Sequence, residues 1–361
     1  MSKGSNGNAA DCTNAPAVSC VMPCRNEAGF VREAVTSVLA QHEPVGGIEL
    51  IVVDGLSDDG TREILAELRA GDARLRVVDN AARITPVAMN LGIQAARGHY
   101  IAILGSHNRY DQGYLEAACR FLDSRPDVDN VGGSMFLEGN GLVQRAIAAA
   151  FDSPLASGGA RWHDADYEGP ADTVFGGVYR RDVFDRIGYF DETLVRNQDD
   201  ELNFRLTRSG GKIWQVRSMR SWYRPRGSLG ALFRQYEQYG YWKVRVITKN
   251  RRPASLRHLV PGGFVATLAA LAVASPFSGV AAASLAVMVG LYFAVVVSGA
   301  VLAAVRSSWD LFCILPAVFL CQHFGYGIGF LKGVADVVRR RKAAGQRYQE
   351  LTRADGTGPK T

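Results

Sequence analysis

Apolar residues follow two patterns between residues 17 and 245 of the chain. Short apolar runs, which are typical of buried parallel strands, predict strands at Val18–Met22, Ile48–Val53, Leu75–Val78 and Tyr100–Leu104. Longer segments with apolar residues at helical spacing predict four helices. These are Glu27–Leu39, a helix that follows the turn at residues 58–61 and continues through Leu68, a helix from Thr85 to about Gly98, and Gln112–Leu122. In the third helix, Thr85 is the predicted N-cap, and the side chains predicted to face inward are Val87, Leu91 and Ala95.

The alternation of strands and helices predicts the fold class. Strands that alternate with helices of about ten residues indicate βαβ units and an α/β fold, with a mostly parallel sheet covered on both faces. In such sheets, ligands bind at the carboxyl ends of the strands. The segments to search for chemistry are therefore those that follow the four strands, residues 23–27, 54–61, 80–83 and 105–110.

The pattern changes at Leu259, because from there to Leu331 the only charged residues are Arg306 and Asp310. So long an apolar stretch predicts a membrane region. Much of the net charge of +6 flanks it, at Lys249, Arg251, Arg252, Arg257, Lys332 and residues 339–342. Basic residues beside membrane spans mark the cytoplasmic side and favour anionic lipids, so this charge does not predict nucleic-acid binding.

The membrane region contains one clear span, Val280–Val305, which is long enough to cross a hydrocarbon core of about 30 Å. Leu259–Phe277 and Leu311–Leu331 are borderline, since both contain proline or clustered glycine. Two spans, with Leu311–Leu331 as the segment that does not cross, keep both flanking regions cytoplasmic. Three spans would place residues 339–342 on the side opposite residues 17–245, against the positive-inside tendency. Both topologies stay open.

Three motifs occur in a fixed order along the chain. They are Pro23-Cys24-Arg25-Asn26-Glu27, the run Val-Asp-Gly-Leu-Ser-Asp-Asp-Gly-Thr at residues 53–61, and Gln198-Asp199-Asp200-Glu201-Leu202. Their order and spacing resemble those of the family 2 inverting glycosyltransferases, which have the GT-A fold. Within that family, the sequence is most similar to bacterial exopolysaccharide enzymes of the succinoglycan type. The resemblance covers the chain from about Val18 to Trp242.

The resemblance implies an organisation for the whole chain. A GT-A nucleotide-sugar-binding catalytic domain is expected at residues 17–245, after a disordered tail at 1–16. A basic juxtamembrane segment at 246–258, a membrane region at 259–331 and a basic cytoplasmic tail at 332–361 are expected to follow. Since the first residues lack the apolar core of a signal peptide, we expect a multi-pass protein of the inner membrane with a cytoplasmic catalytic domain.

The resemblance also implies a reaction. The expected activity is transfer of a sugar from a nucleotide-sugar donor, with a UDP-sugar favoured, to a membrane-associated and lipid-linked saccharide acceptor. The product would belong to exopolysaccharide or surface glycan synthesis. Two alternatives stay open: transfer of the sugar to polyprenyl phosphate itself, and a non-catalytic membrane-tethered homologue.

Residues at the first strand ends are candidates for binding the donor. Asp54 ends a buried strand, where its carboxylate can accept a hydrogen bond from a base N–H, and the resemblance implies that it holds the uracil of a UDP-sugar. Asp58 can bind the nucleotide or cap the helix that follows. Glu27 can contact the nucleotide or simply favour the N-terminus of its helix. The resemblance further implies donor contacts by Pro23, Asn26, Arg83, Asn90 and Ser106.

The fourth strand end departs from the family pattern. The family has Asp-x-Asp here, which binds Mg²⁺ or Mn²⁺ to neutralise the diphosphate leaving group, whereas this chain has Gly105-Ser106-His107. In one interpretation, His107 holds a divalent ion together with the diphosphate and waters. In the other, no metal is needed and cationic side chains such as Arg109 take the charge. Gly105 is expected to have a backbone conformation that favours glycine.

An inverting transfer needs a base that removes the proton of the acceptor hydroxyl as its oxygen attacks the anomeric carbon. Alignment of the motif implies that this base is Asp199, with Asp200 as the second choice. The alternative is that these acidic residues merely stabilise the N-terminus of a helix. Gly176 and Gly177 are implied to lie beneath the donor sugar, where small residues let backbone and substrate approach closely.

The segment Gln238-Tyr239-Gly240-Tyr241-Trp242 resembles the Gln-x-x-Arg-Trp motif of processive synthases, with Tyr241 in the position of the arginine. The resemblance implies that Gln238 and Trp242, together with Asp200, contribute to the acceptor or sugar pocket. The replaced arginine favours addition of a single sugar over polymerisation. These aromatic residues could instead form an interfacial belt beside the bilayer.

Overall fold

The computed structural model describes residues 15–157, 164–253 and 255–339. These residues form two compact units. The first consists of residues 15–133, 168–189 and 206–221, and the second of residues 134–157, 164–167, 190–205, 222–253 and 255–339. Most of the predicted tail at 1–16, and the part of the predicted basic tail beyond residue 339, lie outside the described residues.

A mixed sheet is the framework of the first unit. Its strands are β1 (Val18–Cys24), β2 (Ile48–Asp54), β3 (Leu75–Asp79), β4 (Tyr100–Ile103), β5 (Asn108–Tyr110), β6 (Asn130–Leu137), β7 (Gly169–Pro170), β8 (Phe175–Arg180) and β9 (Ile213–Tyr223). The strand order is β3-β2-β1-β4-β8-β6-β9-β5, and β7 pairs with β9. The predicted α/β fold is confirmed: β1 to β4 pair in parallel, while β8 runs antiparallel to both β4 and β6.

The helices lie between and after these strands. They are α1 (Val31–Leu39), α2 (Thr61–Gly71), α3 (Thr85–Ala95), α4 (Tyr114–Ser124), α5 (Leu142–Phe151), α6 (Pro154–Ser157), α7 (Asp182–Ile187), α8 (Gln198–Arg208), α9 (Leu229–Asn250), α10 (Val260–Ala274), α11 (Gly279–Arg306) and α12 (Leu315–Val338). Short 3₁₀ turns at Leu256–Leu259 and Trp309–Leu311 precede α10 and α12.

The first three strands end level with one another. Cys24 pairs with Asp54 across β1 and β2, and Asp54 pairs with Asp79 across β2 and β3. The polar turns that follow these strands are therefore brought to one edge of the sheet. Left-handed backbone conformations occur in all three turns, at Asn26, Leu56 and Arg83, with φ between 53° and 59°. Such conformations are uncommon outside glycine and are concentrated at functional sites.

One helix of the first unit, α3, differs from its prediction in two respects. In α3, the buried residues are Pro86, Ala88, Met89, Asn90, Gly92 and Ile93, so the inward face predicted through Val87, Leu91 and Ala95 is wrong. A Cβ on Gly92 would lie 2.2 Å from Val21 Cγ1, and glycine therefore lets α3 approach β1 along a different face. The predicted N-cap is also wrong, because Ile84 occupies that position and Thr85 is already helical.

Glycines of α12 in the second unit bring this helix close to α9. A Cβ on Gly329 would lie 1.9 Å from the carbonyl oxygen of Glu237, and one on Gly325 would lie 2.8 Å from that of Phe233. In the same way, a Cβ on Gly240 of α9 would lie 2.0 Å from the carbonyl oxygen of Tyr326. The clustered glycines, which made Leu311–Leu331 a borderline span in the sequence, thus allow close packing of α12 against α9. The helix α12 continues beyond Leu331 to Val338.

Two helical segments are long and apolar enough to cross a membrane. They are Leu256–Ala274 and Gly279–Arg306, with mean hydropathies of 1.5 and 2.4, and only 6% of the most apolar window of each is buried by the rest of the protein. They coincide with the predicted segments Leu259–Phe277 and Val280–Val305. Among the described helices, α12 does not meet the same criteria.

Candidate active site

Paired hydrogen bonds join the turns after β1 and β2 in the first unit. Asn26 Nδ2 donates to Asp58 Oδ1 at 2.8 Å, and Asn26 Oδ1 accepts from the Asp58 N–H at 3.1 Å. The Asn26 N–H also donates to Ser57 Oγ at 2.9 Å, and the Glu27 N–H donates to Thr61 Oγ1 at 2.9 Å. Asn26 and Asp58, both predicted to bind the donor, therefore hold each other in place at the sheet edge.

Asp54 is completely buried at the end of β2. Its carboxylate accepts hydrogen bonds from the N–H and the hydroxyl of Ser57, at 3.0 and 2.5 Å, and pairs with Arg62 at 2.9 Å. Arg62 also pairs with Asp79, which ends β3, at 2.8 Å. Each carboxylate oxygen can accept more than one hydrogen bond, so this arrangement is compatible with a further bond from a nucleotide base.

Asp59, rather than Asp58, supports the start of α2. Asp59 Oδ1 accepts from the N–H and the hydroxyl of Thr61, at 3.1 and 2.5 Å. The N-cap position itself is held by Gly60, with φ of 96°, and no side chain caps it. The interpretation of Asp58 as a helix cap is therefore wrong, because the left-handed turn at Gly60 brings the neighbouring carboxylate to the helix.

His107 faces a buried carboxylate. Its Nδ1 lies 3.0 Å from Glu27 Oε1, and 29% of the His107 side chain is exposed against 9% of that of Glu27. A carboxylate at this distance favours a proton on Nδ1, so Nε2 is the nitrogen that would bind a metal. The expectation that Glu27 favours the N-terminus of its helix is wrong, since α1 begins only at Val31, after a turn.

Gly105 stands where the family has the first aspartate of Asp-x-Asp, and the Asn108 side chain occupies the space beside it. Gly105 does not have the left-handed backbone that was expected of it. Instead, a Cβ at Gly105 would lie 2.3 Å from Asn108 Oδ1, so any larger residue at this position would need the Asn108 side chain to shift. Within the residues that the structure describes, no group of three or more His, Cys, Asp or Glu side chains is placed to hold a metal ion. The Arg109 guanidinium lies 3.6 Å from Glu33.

The remaining predicted donor residues of the first unit differ in exposure. The Arg83 side chain is exposed, beside a backbone with φ of 59°. Asn90 is buried on α3, and Ser106 is buried as well. Pro23 lies within β1 rather than after it. Of these, Arg83 is the side chain most open to a solvent-borne ligand.

Gly176 and Gly177 lie in β8 and are approached closely by protein side chains. Gly176 has φ of 60°, and a Cβ there would lie 2.4 Å from the hydroxyl of Tyr114. That hydroxyl donates a hydrogen bond to the carbonyl oxygen of Gly176 at 2.9 Å. A Cβ on Gly177 would lie 2.8 Å from Asn130 Oδ1. The close approach predicted here is thus made by Tyr114 and Asn130, and contact with a donor sugar stays a prediction.

The acidic motif forms the first turn of α8 in the second unit. Asp200 pairs with Lys243 Nζ at 2.5 Å, and the fully buried Glu201 pairs with Lys249 Nζ at 2.8 Å, both lysines lying on α9. Asp199 is exposed to solvent and forms no ion pair with a described residue. The turn therefore has two neutralised carboxylates and one that keeps its uncompensated charge.

The two adjacent aspartates differ in acidity. Surrounding protein atoms, and then the Asp200 carboxylate, raise the pKa of Asp199 to about 6, although the residue still presents surface to solvent. Burial alone would raise the pKa of Asp200 as well, but Lys243 outweighs it and the pKa of Asp200 is lowered. At neutral pH, Asp199 is thus a carboxylate that can take up a proton readily, whereas Asp200 is held ionised.

The aromatic segment of α9 is part of the protein interior. Gln238 is buried and accepts a hydrogen bond from Arg196 Nε at 3.2 Å. Tyr241 and Trp242 are also buried, with ring centroids 5.6 Å apart, in a cluster with Val246. The interpretation of these aromatics as an exposed interfacial belt is therefore wrong, and any contact of Trp242 with an acceptor stays a prediction.

Sequence reasoning missed two cations that organise these clusters. Arg62 bridges Asp54 and Asp79, and Lys243 neutralises Asp200. Each directly follows a motif residue in sequence, Arg62 after the Asp-Asp-Gly-Thr turn and Lys243 after Trp242. A basic residue that directly follows a motif was the sequence signal for both of them.

The chain is similar to known glycosyltransferases. Residues 19–188 match the model of the family described as "Glycosyl transferase family 2". The succinoglycan biosynthesis protein ExoA of Rhizobium meliloti is 30% identical over 245 residues, which are 67% of this chain and 73% of that protein. A Methanococcus voltae enzyme named dolichyl N-acetyl-alpha-D-glucosaminyl phosphate 3-beta-D-2,3-diacetamido-2,3-dideoxy-beta-D-glucuronosyltransferase is 22% identical over 88% of this chain and 97% of its own length.

Among solved structures, the mannosyltransferase PcManGT from Pyrobaculum calidifontis, in complex with GDP-Man and Mn²⁺, superimposes with a TM-score of 0.57. The alignment covers 89% of this chain and 88% of that one at 18% sequence identity. This likeness shows the shared GT-A fold.

Proposed function

Because the chain belongs to glycosyl transferase family 2 and is a glycosyltransferase, we propose that it transfers a sugar with inversion from a nucleotide-sugar to a lipid-linked saccharide at a membrane. A UDP-sugar is the favoured donor. The product is an exopolysaccharide or surface glycan intermediate. The observation that carries the proposal is the difference between Asp199, whose pKa is raised to about 6, and its salt-bridged neighbour Asp200.

Asp199 is the proposed base. Its carboxylate takes the proton of the acceptor hydroxyl while that oxygen forms a bond to the anomeric carbon and the bond to the nucleotide diphosphate breaks. A raised pKa makes the carboxylate a better proton acceptor near neutral pH, and solvent exposure leaves it open to an acceptor. Asp200 cannot do this as well, since Lys243 lowers its pKa and occupies one of its oxygens.

The first unit is the proposed donor-binding part. Asn26, Asp54 and Asp58 lie at the aligned ends of β1 and β2, where nucleotides bind in open α/β sheets. Asp54 is fixed by Ser57 and Arg62, so its carboxylate is preorganised for a base N–H. Arg83 is the proposed contact to the donor diphosphate.

A divalent ion is proposed to assist departure of the diphosphate. The PcManGT structure contains Mn²⁺ together with GDP-Man. In this chain, His107 fits one ligand position, because an imidazole that ligates a metal usually donates its other N–H to a carboxylate, and His107 Nδ1 lies 3.0 Å from Glu27 Oε1. The ion would neutralise charge on the diphosphate, and the chain would supply one oriented imidazole.

The proposed acceptor is lipid-linked for two reasons. The Methanococcus voltae relative is named for an acceptor in which a sugar phosphate is carried on dolichol. In this chain, the helical segments Leu256–Ala274 and Gly279–Arg306 are apolar, and the rest of the protein buries only a small part of their surface, as expected of helices that lie in lipid. We propose that these two helices anchor the enzyme in the inner membrane with its catalytic domain on the cytoplasmic side.

The test is a transfer assay on the detergent-solubilised full chain. Release of nucleotide from UDP-, GDP- and dTDP-sugars is measured with a lipid-linked oligosaccharide, with polyprenyl phosphate alone, and with neither. We expect a UDP-sugar to be consumed only with the lipid-linked oligosaccharide, and label to appear in the lipid fraction. Transfer to polyprenyl phosphate alone would replace the proposed acceptor, and label in neither lipid would refute the proposal.

A further inference from the structure

A cluster of polar side chains in the second unit is not used by the proposed mechanism. It lies where the segment before α8 meets α9 and the end of β9. We refer to it as the Arg196 cluster, defined by Arg196, Tyr223, Arg226, Gln235, Gln238 and Tyr239.

Hydrogen bonds hold this cluster in one arrangement. Gln235 Nε2 donates to the hydroxyl of Tyr239 at 2.8 Å, and Arg226 Nη1 donates to the hydroxyl of Tyr223 at 3.1 Å. Arg196 Nε donates to Gln238 Oε1 at 3.2 Å, as described above. The three α9 residues occur at i, i+3 and i+4, so they share one helix face.

The cluster combines positive charge with burial. Arg226 is 8% exposed and Gln238 is 4% exposed. Arg196 is half-buried, and burial followed by the proximity of Arg226 lowers its pKa against the opposing effect of Tyr239. No described Asp or Glu forms an ion pair with Arg196. Buried charges are normally paired, so this guanidinium is a costly feature unless an anion joins it.

Other cations of the second unit show the contrast. Lys243 pairs with Asp200, and Lys249 pairs with Asp191 and Glu201. These two lysines of α9 therefore have acidic partners, whereas Arg196 has an amide as its hydrogen-bond partner. An amide oxygen leaves the positive charge uncompensated.

We propose that the Arg196 cluster is a binding subsite for a phosphate ester of the substrates. The planar guanidinium of Arg196 can bind two phosphate oxygens at once, and the Tyr and Gln side chains add neutral donors. Arg196 lies in the segment directly before α8, whose first turn contains the proposed base Asp199. It also stands beside Gln238, in a motif whose own arginine position is occupied by Tyr241.

Two substrate groups have this chemistry, and the subsite rests on the proposed function for both. One is the phosphate that links the acceptor saccharide to its lipid, and the other is the diphosphate of the donor. The location in the same segment as the proposed base favours the acceptor phosphate. The two sources can be separated by whether the nucleotide competes.

The experiment is calorimetric titration of the solubilised full chain with inorganic pyrophosphate, with and without saturating UDP. The variants are Arg196→Gln, Arg196→Lys and Arg145→Gln. Arg145→Gln is the matched control, because it removes an arginine of the same unit that already pairs with an acidic residue, Asp310. We expect Arg196→Gln to weaken pyrophosphate binding in the absence of UDP by about 10- to 100-fold, Arg196→Lys to weaken it less, and Arg145→Gln to leave it unchanged.

Retention of the Arg196-dependent binding in saturating UDP identifies the acceptor phosphate as the occupant, and its loss in UDP identifies the donor diphosphate. Equal pyrophosphate binding by the wild type and Arg196→Gln without UDP overturns the proposal. Thermal melts check folding, and Arg196→Lys carries the test if the glutamine variant does not fold. Because no turnover is needed, failure of this subsite is distinguishable from failure of the proposed transfer reaction.

Discussion

Asp54 is the last residue of β2 and Asp199 lies in the first turn of α8. Both carboxylates belong to motifs of the family, but their surroundings differ. Asp54 is buried, receives two hydrogen bonds from Ser57 and pairs with Arg62. Asp199 is exposed, has no described ion-pair partner, and has a pKa raised to about 6. A compensated carboxylate is suited to a fixed binding role, and an uncompensated one to proton transfer. This difference supports the proposal that the first unit binds the donor and that α8 supplies the base.

The largest effect is expected for Asp199→Asn, which keeps the shape of the side chain but removes its basicity. Turnover should fall by roughly 10²- to 10⁴-fold while UDP binding stays nearly intact. The pKa of Asp199 is raised in the folded state, so at pH 7 the ionised carboxylate lowers the stability of the folded protein. The asparagine variant lacks this charge and should therefore melt at or above the wild-type temperature at pH 7. Single-turnover rates and thermal melts check this, and activity within a few-fold of wild type would exclude Asp199 as the base.

A smaller effect is expected for Asp54→Ala, measured by calorimetry with UDP. Loss of the carboxylate should weaken binding by about 1–3 kcal/mol, or about 5- to 150-fold, because a base N–H is left unpaired. The matched control is Asp79→Ala, which removes the exposed partner of the same arginine, Arg62, and should change affinity by only a few-fold. Unchanged affinities of Asp54→Ala for UDP, GDP and dTDP would remove Asp54 from the site.

The smallest effect is expected for Glu27→Gln, which removes the carboxylate that faces His107. If His107 binds a divalent ion, chelator should abolish activity and Mn²⁺ should restore it, and Glu27→Gln should raise the Mn²⁺ concentration required by about tenfold. Gly105→Asp alone should be impaired, because Asn108 occupies the space, whereas Gly105→Asp with Asn108→Gly should lower the metal requirement. Full activity of the wild type in chelator would contradict the metal proposal and direct attention to Arg109.

The parallel half of the sheet was predictable from sequence because its signals are local. β1 to β4 are continuous apolar runs, and their observed bounds differ from the predicted ones by a residue or two. The strands that complete the sheet were not predicted. β6 and β8 each contain a glycine pair, and a Cβ on Gly133 would lie 1.7 Å from the carbonyl oxygen of Met219. Such glycines weaken the apolar pattern, and they are required by packing between residues far apart in sequence.

The candidate site was predictable as a set of residues but not as a set of contacts. The motif residues Asn26 and Asp58 do meet, yet the partners that set their chemistry come from elsewhere in the chain. Glu27 and His107, or Asp200 and Lys243, are separated by long stretches, and nothing in local sequence fixes such pairs. The reason for Gly105 was also a tertiary one, the position of the Asn108 side chain.

The central claim is that Asp199, and not Asp200, is the base. The most direct measurement is the pH dependence of kcat/KM from about pH 5 to 8, for the wild type and for Asp200→Asn. The wild-type rate should rise with pH through a single ionisation near 6, as Asp199 loses its proton. Asp200→Asn removes the neighbouring negative charge and leaves Lys243 to favour ionised Asp199, so the rising limb should move to lower pH. A limb that stays in place in Asp200→Asn, or that persists in Asp199→Asn, would contradict the assignment.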